Sequence, residues 1–468
     1  MAERMQKFVS VGQKWPDKRP AAERAADFHE IHAEFIAEKA REQASRCAQC
    51  GVPFCQTHCP LQNNIPDWLR LTAEGRLEEA YLASAATNPM PEICGRICPQ
   101  DRLCEGACVI EQSHHGAVTI GAVEKYLTDT AWREGWVAPL TPRAERRESV
   151  GIVGAGPAGL AAAERLRQRG YKVTVYDRHD RIGGLLVYGI PNFKLEKDVV
   201  ARRAQRLIDG GVKFELNCNV GDTLSFEALR AKHDAVLIAT GVYKAKPLNA
   251  PSDAVVPALD FLIAANRVGL GDNVAAFASG KLNAKDRRVV VIGGGDTAMD
   301  CVRTAQRQGA ASVTCLYRRD RANMPGSQRE VAHAEEEGVG FDWLAAPKSV
   351  RAGKTPGVKA IRMRLGAPDA SGRQSPEEAP GSAYDVSGDL IIAALGFDAE
   401  DLSGWGISAD RWGAIEVGRS FETNLPGVYA AGDIVRGASL VVWAIKEGRD
   451  AADAMHAWMQ SGARVAAE

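Results

Sequence analysis

Eight of the eleven cysteines in this 468-residue chain fall between positions 47 and 108. They form two runs, Cys47-x2-Cys50-x4-Cys55-x3-Cys59-Pro and Cys94-x3-Cys98-x5-Cys104-x3-Cys108. Clustered thiols pair as disulfides in exported proteins and bind metal in reducing compartments. Residues 1–15 are polar and lack the apolar core of a secretory signal, so a cytoplasmic chain and a metal are expected. Four thiolates in paired knuckles would suit a structural zinc. A run that closes on Cys-Pro is instead a ligand spacing of iron–sulfur clusters.

A second chemistry is written at 150–177, VGIVGAGPAGLAAAERLRQRGYKVTVYD. An apolar strand enters the turn Gly154-Ala-Gly156-Pro157-Ala158-Gly159, a helix follows, and an alternating strand ends in Asp177. This is a dinucleotide fingerprint: Gly154 permits the tight turn, Gly156 lets the backbone approach a pyrophosphate, and Gly159 packs helix on strand. The helix N-terminus offers free N–H groups to phosphates, and the acid accepts hydrogen bonds from a ribose. The pattern returns from residue 288, with Gly293-Gly-Gly295-Asp296-Thr297-Ala298 at the turn and Arg318-Arg319 where the first copy has its acid. Arginine pairs with a 2′-phosphate that an acid would repel, so the first copy reads as an FAD site and the second as an NADPH site. No Cys-x4-Cys dithiol follows the first fingerprint. Flavin electrons must leave by another route, and the cysteine runs provide it as iron–sulfur clusters rather than zinc.

These groups need a scaffold of about three domains, which the chain length allows. A content of 45% hydrophobic and 25% charged residues is that of a soluble globular protein, and a net charge of −1 gives no pull toward nucleic acid or an anionic membrane. Apolar residues at helical spacing predict a helix over 28–44, two short helices over 65–88 and another over 119–132. Residues 139–149 read as a linker, 235–241 and 389–396 as buried strands ending in glycine, and 366–388 as an exposed hairpin loop. A strand at 428–431, a turn at Gly432-Asp433 and a helix over 439–455 complete the pattern.

GAGPAG with its terminal acid, ATG at 239–241, GGGDTAMD with paired arginines, and AAGD at 430–433 resemble the flavin and NADPH reductases with two dinucleotide folds. With the cysteine runs included, the whole chain resembles the family of NADPH-dependent glutamate synthase small (β) subunits. Its relatives are the N-terminal part of dihydropyrimidine dehydrogenase and the larger subunit of an NADH-dependent ferredoxin:NADP oxidoreductase. The resemblance implies an α/β fold with two Rossmann-like dinucleotide-binding domains, the NADPH domain inserted in the FAD domain, preceded by an α-helical iron–sulfur domain. The divisions expected are 1–145 for two 4Fe-4S clusters, 146–280 and 401–468 for FAD, and 281–400 for NADPH. Gly154, Gly156, Pro157, Ala158 and Gly159 would hold the FAD pyrophosphate, with Asp177 and the adjoining Arg178 at the adenosine ribose. Gly183, Gly184 and Leu185 would line the approach to the flavin, and Gly432 and Asp433 its ribityl or phosphate region. Gly293, Gly295, Asp296 and Thr297 would meet the NADPH pyrophosphate.

The simplest ligand assignment gives one cluster to each run of four cysteines. The family is crossed, as two-cluster ferredoxins are. The resemblance then assigns Cys47, Cys50, Cys55 and Cys108 to one 4Fe-4S cluster and Cys59, Cys98 and Cys104 to the other. Glu124 from the next helix would complete the second, with Cys94 a spare thiol; Cys94 is the alternative fourth ligand. No side chain is expected to act as a catalyst, because the cofactors carry the chemistry. The implied partner is a large (α) subunit with FMN and its own iron–sulfur cluster, which makes L-glutamate from L-glutamine and 2-oxoglutarate. The competing readings are a subunit of an NADPH–ferredoxin transhydrogenase and a zinc-stapled NADP-sensing module.

Overall fold

The computed structural model describes residues 5–250, 254–353, 355–369 and 374–461. Two five-stranded sheets organise it. In the first, Val428–Ala430, Ala235–Ile238, Ser149–Val153, Lys172–Tyr176 and Lys213–Glu215 lie side by side in that order, all parallel. In the second, Val255–Pro257, Leu390–Ala393, Arg288–Ile292, Ser312–Tyr317 and Gly340–Trp343 repeat the arrangement. The central strands are continuous apolar runs because helices cover both faces of such sheets. Val150, Ile152, Val289 and Val291 are accordingly buried. The second sheet is built wholly from chain lying between Ala235–Ile238 and Val428–Ala430, so the first is interrupted and then resumed. A short antiparallel pair, Lys244–Ala245 with Phe397–Asp398, brings the outgoing and returning chain together. The expected division at 280/281 falls inside the second unit, because Val255–Pro257 and the helix Ala258–Gly269 already pack with it.

The cysteine-bearing region is helical. Ile65–Ala73 and Leu77–Ala85 are the two short helices expected, and Ile120–Arg133 the third. They close around fully buried Trp68, whose indole N–H donates to Asn63 at 2.7 Å. A buried bidentate pair, Arg203 to Glu92 at 2.7 and 2.9 Å, ties this region to the first sheet's helices.

The helix expected over 28–44 forms only at Ala37–Ala44. Ahead of it the chain is mostly irregular, with one helical turn at Ala21–Arg24 and a bridge between Lys18 and His32, and it touches both units. Phe28 meets Phe193 at 6.3 Å between ring centres, Trp15 is stacked by Arg329 at 4.0 Å, and Arg24 reaches Glu337 at 3.3 Å. Glu337 also accepts from Arg303 at 2.8 Å and Arg307 at 2.6 Å. Contacts with another unit, not helical periodicity, decide this segment. The stretch expected as a loop over 366–388 is mostly strand: Gln374–Ser387 pairs antiparallel with Gly357–Pro368.

Candidate functional site

At the first turn the three glycines answer to different neighbours. A Cβ on Gly154 would lie 2.3 Å from the Ala239 carbonyl, and one on Gly159 would lie 1.9 Å from the Gly154 carbonyl. A Cβ on Gly156 would meet nothing within 4 Å. Gly156 is therefore not required by the protein's own packing; it keeps the space beside the turn open, as the dinucleotide fingerprint does for a pyrophosphate. Gly184 closes over this space, its Cβ direction meeting Gly156 Cα at 2.8 Å, and the Gly183 N–H donates to the Ala155 carbonyl at 3.0 Å.

A cavity of about 240 Å³ opens here, lined by Gly154, Gly156, Pro157, Ala158, Asp177, Leu185 and Asp433 among others. Asp177 accepts from the Ala155 N–H at 2.7 Å and the His179 N–H at 2.8 Å. Burial alone would raise its carboxyl, but the His179 imidazole at 2.9 Å, with these two N–H groups, holds it below the usual range. Arg178 points into an adjoining pocket, stacked 4.4 Å from the Tyr243 ring centre and paired with Glu400 at 2.9 Å. At the return of the chain, the Gly432 N–H is held by Glu447 at 3.0 Å, and burial pushes the Asp433 carboxyl up to about 6. Leu440 and Val441, at the start of the helix Val441–Gln460, line the same cavity.

The second turn repeats the first. A Cβ on Gly293 would lie 2.3 Å from the Ala394 carbonyl, and one on Gly295 would meet nothing within 4 Å. The Gly326 N–H donates to the Gly294 carbonyl at 3.0 Å, the bond Gly183 makes at the equivalent residue. Asp296 opens the helix Asp296–Arg307, and Thr297 lines both the cavity at the first turn and a neighbouring one of about 260 Å³. Beyond the strand Ser312–Tyr317, Arg318 is exposed, and among the described residues no carboxylate pairs with it. Arg319 Nε is buried without a hydrogen-bond partner.

The cysteines assemble in the crossed pattern. Cys47, Cys50, Cys55 and Cys108 line one small cavity of about 20 Å³. Cys59, Cys94, Cys98, Cys104 and Glu124 line another of about 30 Å³. Both Cys94 and Glu124 therefore face the second cavity, which has five donors for four positions. Burial pushes the Cys47 and Cys59 thiols up to about 11 and Cys55 to about 12, so ionising them together requires a cationic core. Burial likewise raises Glu124 to about 8, while its carboxylate accepts from Ser84 at 3.2 Å. Among the described residues no three His, Cys, Asp or Glu side chains converge on one ion-sized point. Thiols ringing a cavity fit a polynuclear cluster better than a tetrahedral zinc. Sequence reasoning missed Arg102 and Gly326, which close the second turn; the glycine pair at 183–184 covering the first turn was the available hint.

Residues 148–448 match the family described as pyridine nucleotide-disulphide oxidoreductase, and residues 24–136 match dihydropyrimidine dehydrogenase domain II, 4Fe-4S cluster. The fold is that of the NADPH complex of FprA from Mycobacterium tuberculosis, at a TM-score of 0.57 and 18% identity over 69% of this chain and 88% of that one. The chain is thus an oxidoreductase of the pyridine-nucleotide class joined to a 4Fe-4S domain. It is 62% identical to the glutamate synthase [NADPH] small chain of Azospirillum brasilense, over 99% of this chain and 98% of that one. It is 44% identical to the small chain of Escherichia coli K12, over 98% of this chain and 100% of that one. A putative oxidoreductase of E. coli K12, AegA, is 45% identical over 98% of this chain and 71% of its own length. The chain belongs to the glutamate synthase [NADPH] small-chain family. No described helix is long and apolar enough to cross a membrane.

Proposed function

We propose that this chain is the electron-input subunit of a cytoplasmic NADPH-dependent glutamate synthase. Its partner is a large α subunit with FMN and an iron–sulfur cluster, where L-glutamine and 2-oxoglutarate become L-glutamate. The carrying observation is the order of the cavities. Leu440 and Val441 line the flavin cavity, and the next residue, Val442, lines the cavity of Cys59, Cys98 and Cys104. Cys59 follows Cys55 within one run, and Cys55 lines the far cavity, whose rim includes exposed Phe54 and Val109. The sites thus run from the flavin to an apolar outer face.

In this reading Gly154, Gly156, Gly159 and Gly184 hold the FAD pyrophosphate, Asp177 the ribose, and Asp433 the ribityl region. Gly293, Gly295 and Thr297 hold the NADPH pyrophosphate, and Arg318 and Arg319 its 2′-phosphate. Cys47, Cys50, Cys55 and Cys108 bind one cluster; Cys59, Cys98, Cys104 and Glu124 bind the second, with Cys94 the alternative to Glu124. Held by these residues, FAD would supply the exchange of a hydride for single electrons of the kind iron–sulfur clusters carry. The residues' own task is to bind and orient these groups and to exclude water. The N-terminus of Val441–Gln460, beside the flavin cavity, favours negative charge there.

Anaerobic native purification of the chain, with mass spectrometry of what remains bound, tests the proposal. A large amidotransferase subunit that confers NADPH-dependent glutamate formation is the expected result. The second reading is a transhydrogenase-type module with another acceptor; what supports it is that AegA, a relative of similar identity, is named a putative oxidoreductase and not a glutamate synthase. Reduction of a ferredoxin without glutamate formation would put that reading in its place.

A further inference from the structure

The second turn is closed by a residue from the cysteine-bearing region. Arg102 ends the short turn Gln100–Arg102, two residues before Cys104. Its guanidinium crosses to the second unit, where Nη2 pairs with Asp296 Oδ2 at 2.9 Å and Nη1 donates to the Pro325 carbonyl. The other oxygen of Asp296 accepts the Ser327 N–H at 2.9 Å. Asp296 follows Gly295, above which the space is open. A carboxylate at that position would repel an arriving pyrophosphate. At the first turn uncharged Pro157 holds the same place and no arginine is needed. Acid and arginine thus come as a pair, at the one of the two turns where they matter. A guanidinium carries five N–H donors, and the Asp296 and Pro325 contacts leave others free. Arg102 is also partly exposed, so its free edge is open to a ligand.

We propose that Arg102 is a pyrophosphate ligand of the pyridine-nucleotide site, supplied by the cluster-bearing region. Its guanidinium stays on Asp296 and turns its remaining donors to the phosphate oxygens. The nucleotide site is then complete only when the two regions are docked. The proposal rests on reading the second turn as the NADPH site.

Equilibrium binding of NADP+ to the oxidised full-length holoprotein tests it, with adenosine 2′-monophosphate, which lacks a pyrophosphate, as the comparison ligand. Arg102→Ala is expected to weaken NADP+ about tenfold and leave adenosine 2′-monophosphate unchanged. The double variant Arg102→Ala/Asp296→Asn is expected to stay weak, because the ligand itself is gone. Recovery of full affinity in the double variant would overturn the proposal, since Arg102 would then serve only to neutralise Asp296. Unchanged NADP+ affinity in the single variant would overturn it as well. Should Arg102→Ala fail to fold, Arg102→Lys keeps the charge on Asp296 without the forked donors and carries the same test, with the same two outcomes. Arg318→Ala is expected to weaken both ligands. If it weakens neither, the reading of the second turn fails independently of Arg102.

Discussion

The two nucleotide turns are copies in backbone and opposites in charge. Each has a first glycine pressed against a carbonyl of the neighbouring strand end and a second glycine facing open space. In each, a covering glycine N–H donates to the residue between them. They differ where the ligands differ. The first strand pair ends in Asp177, already oriented by Ala155 and His179; the second ends in Arg318 and Arg319, with no acid among the described residues to occupy Arg318. The third fingerprint position differs too. Gly159 is in near contact with the Gly154 carbonyl, whereas Ala298 is accommodated and fully buried. On the proposed reading, the shared backbone makes a site for a dinucleotide, and a few side chains at the rim decide which one.

The sharpest way to separate the copies is to fill each open space in turn. Gly156→Val places a side chain where the structure has no atom within 4 Å, so the chain should fold yet purify without flavin. Gly295→Val should keep its flavin colour and lose NADP+ binding by about a hundredfold or more. An equal loss of flavin in both would break the division of labour. Next in size is Gly159→Ala, whose Cβ would meet the Gly154 carbonyl at 1.9 Å. It should cost about 1–3 kcal/mol in denaturant unfolding of the apoprotein, as overpacking does. The alanine native to the second copy marks the difference in helix–strand approach.

Arg318→Ala should lower the preference for NADPH over NADH about tenfold, read as the ratio of kcat/KM values. An unchanged ratio would move 2′-phosphate recognition elsewhere. The smallest effect is one of pH. In the flavin-free chain a proton on Asp433 favours the folded state; that contribution is complete below about pH 4 and is lost as pH rises through about 6. Hydroxyls of a bound flavin favour the ionised carboxylate instead. Affinity of the apoprotein for FAD should therefore fall as pH drops below about 6, and Asp433→Asn should flatten that dependence.

The residues that carry chemistry were legible because their signals are local. Glycine spacing, a terminal acid or arginine, and cysteine runs are confined to short stretches, and the helices at Ile65–Ala73 and Leu77–Ala85 follow from their own periodicity. What was not legible depends on distant partners. Phe28 and Ile31 have helical spacing, but Phe28 packs on distant Phe193 and Ile31 is buried, and the chain there is not helical. The strand Gln374–Ser387 has no fully buried residue, and its half-buried positions mix Gln374 and Ser382 with Tyr384 and Val386, so its alternation is masked by polar residues. Arg102 and Asp296 carry no local pattern that would pair them across 194 positions. The crossed cysteine cavities came from family resemblance, since spacing alone permits one cavity per run.

The interrupted first sheet has a consequence for biosynthesis. Val428–Ala430 pairs with Ala235–Ile238, and the segment after it contributes Gly432, Asp433 and the Glu447 that holds Gly432. While the ribosome is still translating the inserted unit, the nascent chain has its first fingerprint but not the strand that finishes the pocket beside it. The second unit, contiguous from Val255 to Ala393, can close first. On the proposed reading, flavin capture is thereby deferred until the segment from Val428 to Glu447 has been made, and a chain cut short before residue 428 would carry no flavin.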